Sequence, residues 1–299
     1  MSTRLSGYIM AMAIALALGT LVSADAQDRP APPLAAGCPD APAQFHPCAL
    51  AKAKTYSPPL MPDGHPDLNG IWRGRTGATE NIEEHAEEFD TSAGPTLIVD
   101  PADGKVPFQP WAAAQAKANI ATFIEPAVPC FPGGMPRTMY QPPDFRITQT
   151  PAYIVFNAER AHNFFVVPMD GRPHLGGNIL LWQGDSRGHW EGHTLVIDVT
   201  NQNAQTWFDQ IGRFYSDAVH MVERFTPVDA NTMDYEVTIE DPNVYIKPWK
   251  MAFALRRFTQ PGYEFWEEAC HEGEYNAQHR VNLGQKVFPG VHGRELKGR

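Results

Sequence analysis

Two groups of residues in this 299-residue chain have types and spacing suited to acid–base chemistry: His220, Arg224 and Glu240, and, as the leading single candidate, His271 with Glu272. His220 and Arg224 lie four apart in a run that alternates apolar and polar residues, so on a strand they share one face. Glu236 and Glu240 share a face of the next such run, and antiparallel pairing would bring His, Arg and a carboxylate together. A glutamate would then orient the imidazole, the imidazole would move a proton, and the guanidinium would stabilise a developing oxyanion. The competing reading is a cross-strand charge ladder on a wetted surface, worth about 0.2–1 kcal/mol per pair. Further along, Cys270 is followed by His271, Glu272 and Gly273. A disulfide at Cys270 would fix His271 and Glu272 at a sheet rim, which makes both catalytic candidates.

Substrate contacts are expected from rings. Trp190, Tyr245 and Trp249, with Trp182 and Trp207, can form a stacking surface for an aromatic or sugar ring, or else belong to the core. His174, close to the Asp170-Gly171 turn, is a secondary candidate for substrate binding. His189 and His193 are four apart around glycines, a spacing that suits either a metal pair or a solvated turn. No H-E-x-x-H, Gly-rich phosphate loop or G-x-S-x-G elbow occurs. The reading is cofactor-free, with a divalent metal held by clustered histidines as an alternative.

The elements that must position these groups are short strands. Period-two or β-branched runs occupy 145–149, 152–157, 163–167, 178–182, 194–200, 219–225, 233–240, 249–255 and 263–270. Turn signals at Asp170-Gly171, Arg187-Gly188, 229–231, Asp241-Pro242 and Pro261-Gly262 separate them. Without intervening helices, this predicts a mainly β protein whose antiparallel meander closes as a lipocalin-like barrel. One short helix is expected over 110–124, where good helix formers follow a proline suited to a first turn. In the 219–225 run, Val219, Met221, Glu223 and Phe225 oppose His220, Val222 and Arg224, so each strand has one apolar and one more polar face.

Arg4, an apolar stretch from Tyr8 to Val22 and Ala24-Asp25-Ala26 match a secretory signal, residues 1–26. Residues 27–66, rich in Pro and Ala, form an extended N-terminal arm, and 67–299 a single β-rich domain. The protein is therefore expected in the periplasm or secreted, with no membrane association after cleavage. Four cysteines remain, Cys38, Cys48, Cys130 and Cys270, an even count that favours disulfides in an exported protein. Cys38 and Cys48 are the natural local pair and would leave Cys130 with Cys270, yet spacing leaves all three pairings open. The net charge of −10, without a basic run, argues against nucleic acid as a partner and for a small-molecule ligand or substrate.

Five phrases are similar to a large, mostly uncharacterised family of secreted, β-rich bacterial proteins: PDGHPDLNGIW (62–72), GHWEGHTLVID (188–198), VERFTPVDA (222–230), EDPNVYIKPW (240–249) and ACHEG (269–273). The resemblance implies export and a β-rich fold, and carries no reaction with it. The expected function is an exported enzyme acting on a small organic molecule, aromatic ones included, by His/Glu acid–base catalysis, as lyase, isomerase or hydrolase. A lipocalin-like periplasmic carrier of an apolar ligand and a metal-dependent enzyme are the alternatives.

Overall fold

The computed structural model describes residues 35–299 except 75, 88–92, 267, 269, 271–274 and 297–299. The expected signal, residues 1–26, and the candidates His271 and Glu272 lie outside the described residues. Alternating sequence becomes strand where one face can be buried. Strands β1 (Gly70–Arg73), β2 (Ile98–Asp100), β4 (Phe145–Gln149), β5 (Tyr153–Ala158) and β6 (Phe164–Pro168) come first along the chain. They are followed by β7 (Asp185–Glu191), β8 (Thr194–Thr200), β9 (His220–Asp229), β10 (Thr232–Glu240) and β11 (Trp249–Arg257). Nine of them run antiparallel in the order β6-β5-β4-β1-β11-β10-β9-β8-β7, and β2 pairs β11 beside β1. Short β3 (Phe123–Ile124) and β12 (Lys286–Val287) pair separately, in parallel.

The sheet curls until its ends meet. Phe156 of β5 touches Phe225 of β9, which touches Tyr235 of β10, with ring centroids 5.4 and 5.0 Å apart. At the seam, a Cβ on Gly188 of β7 would lie 2.4 Å from Met169 Sδ and 2.8 Å from Val167 Cγ1. Glycine is what lets β6 approach β7 this closely. The result is the expected antiparallel barrel, nearly closed. Its interior is filled by Trp72, Phe156, Phe225, Tyr235 and Phe253, and by Met135, Met139 and Tyr140 from the loop before β4. The apolar face of every long strand thus points inward, and the polar faces point out.

Three local expectations need correction. The arm is not extended throughout: Pro42–Ala53 is a helix, α1, started by proline at its first turn. Phe45 and Ala49, one turn apart, bury against Val228 and Ala254 on the outside of the barrel. Pro-rich composition hid a helix whose stability comes from that packing. Residues 178–182 and the described residues of 263–270 are not strands, although both stretches are rich in apolar or aromatic residues. The Arg187-Gly188 turn is instead the middle of β7, and the chain turns at 192–193. The expected helix is present as α2 (Pro110–Thr122), and α3 (Tyr275–Asn282) and α4 (Gly293–Leu296) lie near the C-terminus. The disulfides are Cys38–Cys48 and Cys130–Cys270. No described helix is long and apolar enough to cross a membrane.

Candidate functional site

The outer face of β8 and β9 gathers the acid–base groups. His220 opens β9 and pairs in register with Glu240, which closes β10; Arg224 pairs with Glu236 one turn of the pleat further on. Asp198, projecting from β8, accepts a hydrogen bond from His220 Nε2 at 2.8 Å. Its other oxygen meets His174 Nε2, also at 2.8 Å, so one carboxylate lies between two imidazoles. His174 sits in the loop between β6 and β7, and that loop is pinned from β7. Asp185 accepts from His174 Nδ1 at 2.8 Å and from the Leu175 amide at 2.9 Å. Arg187 in turn donates to Asp185 and to the Pro173 carbonyl.

Both nitrogens of His174 therefore face carboxylates, and both bonds form only when each carries a proton. His220 differs. Its Nε2 is held by Asp198, while Nδ1 lies 3.9 Å from Glu240 Oε2, too far for a hydrogen bond and open to solvent. The bond to Asp198 holds the His220 pKa above its usual 6.5, with burial opposing and Glu240 adding to the rise. The same bond holds Asp198 below the ordinary carboxylate range, again against burial. Side chains of His220 and Asp198 are 39% and 36% exposed, so a small molecule can reach them.

The other candidates fall elsewhere. Arg224 reaches across to Glu191, whose pKa it lowers, and Glu191 also meets His189 Nε2 at 3.2 Å. That part of the face is the charge ladder. Glu236 is taken by His46 of α1 and by Lys250. Trp190 stacks on His65 with centroids 4.9 Å apart. Tyr245 and Trp249 are core residues, Tyr245 donating to the Phe214 carbonyl at 2.8 Å. Thus the structure unites His174, His220 and Glu240, and sets Arg224, Trp190, Tyr245 and Trp249 apart from them.

Sequence reasoning missed Asp198 and Asp185. The signal for Asp198 was present: it is the one charged residue inside the 194–200 run, on the same face as Thr194 and Val196 rather than with inward Leu195 and Ile197. Among the described residues, no three His, Cys, Asp or Glu side chains are arranged to hold a metal ion. Comparisons with family models, with curated proteins and with solved structures return no match to the chain.

Proposed function

We propose that this chain is an exported enzyme that performs acid–base catalysis on a small organic molecule at His220, as a lyase, isomerase or hydrolase. The observation that carries the reading is the Asp198 carboxylate bonded to two imidazoles at 2.8 Å each on a solvent-reachable face. Asp198 fixes the His220 ring and favours its charged form, so His220 Nδ1 is the atom that donates a proton to a substrate oxygen. Glu240, across the 3.9 Å separation, accepts the proton that the substrate loses. Each turnover then leaves a neutral imidazole and a neutral carboxylic acid, and exchange with water restores both. The two disulfides fit an oxidising compartment, in keeping with the signal-like N-terminus.

The chemistry can be tested without knowing the natural substrate. Purified protein is incubated in D2O with a panel of small ketones, hydroxy acids and aryl ketones, and deuterium uptake beside the carbonyl is followed by NMR. Catalysed exchange in the parent, lost in His220→Ala and Glu240→Gln but kept in His189→Ala, is the expected pattern. Exchange no faster than buffer, or equal in all variants, would count against the proposal. A groove of about 190 Å³ lined by Trp111, Phe123, Phe288 and Val291 favours the carrier as a second reading. A carrier would bind a small aromatic probe there with the same affinity after His220→Ala.

A further inference from the structure

One end of the seam between β6 and β7 collects buried donors that have no acceptor. Arg137 is 1% exposed, and its Nη1 donates to Glu125 Oε1 at 2.6 Å and to the Trp207 carbonyl at 3.2 Å. Its Nε and Nη2 have no partner. Those two nitrogens form one edge of the guanidinium, the fork that binds a carboxylate through two parallel bonds. Neighbouring Thr138 ties this arginine to the seam. Its hydroxyl meets Gln183 Oε1 at 3.2 Å and Asn163 Nδ2 at 3.5 Å, and these residues stand just before β7 and β6 respectively. Gln183 Nε2 also lacks a partner, as does the hydroxyl of Ser186, which faces the barrel interior from β7.

Native proteins rarely leave such groups unmatched, because an unpaired buried donor forfeits its hydration without return. The unmet demand of Arg137 and Gln183 is all donor: an arginine edge and an amide NH2. Asp209 does not meet it, being held by Arg213 at 2.6 Å. A planar group with acceptor oxygens only is the complement. Because β6 and β7 are the two ends of the sheet and no ladder of hydrogen bonds joins them, the seam can part to admit a molecule without breaking strand pairing.

We propose that this end of the β6/β7 seam binds the carboxylate of a small organic molecule, gripped by the free edge of Arg137 and by the Gln183 amide. The site shares no residue with the His174–Asp198–His220 cluster and stands or falls independently of it. Benzoate and its neutral counterpart benzamide are suitable probes, titrated by calorimetry and by NMR observation of the arginine Nε–H signals. Saturable benzoate binding tighter than ~10 mM is expected, with a shifted Arg137 Nε–H and no comparable binding of benzamide. Gln183→Leu, which leaves Arg137 and its Glu125 pair intact, should weaken benzoate at least ~10-fold. Arg137→Lys keeps the charge but removes the fork, and should weaken it at least as much. No saturable binding, equal binding of benzamide, or affinity unchanged in Gln183→Leu would overturn the proposal.

Discussion

Glu223→Gln should make the protein more stable at neutral pH and change how its stability depends on pH. Glu223 points into the barrel from β9, fully buried, in register between Ile197 and Val237. Tyr235 donates to its Oε1 at 2.5 Å, and Oε2 has no partner. Burial pushes its pKa up from 4.5 to about 8, the tyrosine bond opposing. The folded protein therefore keeps the proton at neutral pH, while the unfolded chain releases it above about pH 4.5. Stability from this group is complete below pH 4.5 and is lost as pH rises towards 8. Each pH unit in that window costs about 1.4 kcal/mol, so by pH 7 the loss is ~3 kcal/mol. Glutamine cannot ionise. It retains an acceptor for Tyr235 and replaces an unpaired acid hydroxyl with an unpaired amide, at a cost of ~1 kcal/mol. The variant should match the parent near pH 5 and exceed it by ~2 kcal/mol at pH 7. Urea unfolding followed by tryptophan fluorescence, with disulfides intact, measures both. Parallel stability curves for parent and variant from pH 5 to 8 would refute the reasoning, since the difference must grow with pH.

Three further outcomes are expected. His46 of α1 meets Asp234 at 2.9 Å and Glu236 at 3.1 Å; burial opposes its charge, but the two carboxylates raise its pKa to about 9. The raised value means that its contribution is full below pH 6.5 and fades as pH rises through 9, so His46→Ala should cost ~2 kcal/mol at pH 6 and less at pH 10, read by denaturant unfolding. Gly188→Val places a branched side chain against Met169 and Val167 at the seam, and should lower stability by ~2–3 kcal/mol while Gly192→Val, at a turn with open space, strains only a local positive φ. Replacing Cys130 and Cys270 together by serine opens a loop of 140 residues and should cost up to ~5 kcal/mol, measured as a fall in denaturation midpoint relative to the oxidised parent.

Most of the barrel was legible because a period of two is a statement about which face is buried. The runs at 145, 152, 163, 194, 219, 233 and 249 all became strands, and Glu236 and Glu240 do face the same side as His220 and Arg224, while the register that pairs Glu240 with His220 and Glu236 with Arg224 was not fixed by phase. β7 escaped notice because its sequence, DSRGHWE, carries no apolar alternation. It is held by pairing along its whole length with β8 and needs a glycine where β6 presses on it. At 178–182 and in the described part of 263–270 the apolar and aromatic residues lie in loops, and Ile179, Leu181 and Trp266 are exposed there, so composition without a face to bury did not make a strand. Of the site, the two strand-borne members were visible as neighbours. His174 was visible only as a residue, because a loop's destination is set by side chains such as Asp185 and Arg187 that belong to another element.

The same sheet carries carboxylate–imidazole chemistry twice, and solvent access separates the two uses. Under α1, one imidazole is clamped between Asp234 and Glu236, whose side chains are 1% and 12% exposed. Both its nitrogens are consumed, its charge is fixed across the neutral range, and it fastens a helix to a sheet. A few residues away along β8 and β9, the stoichiometry is inverted: one carboxylate serves two imidazoles and remains more than a third exposed. There His220 Nδ1 is left without a hydrogen bond, and burial opposes its charge less than the Asp198 bond favours it. A clamp gains from excluding water, whereas a proton donor must meet its substrate and be recharged by solvent. Helix α1 packs over β9, β10, β11 and β2, and that cover is what separates the buried clamp from the exposed pair. Extending it over His220 would close the solvent access that the proposed proton transfer requires.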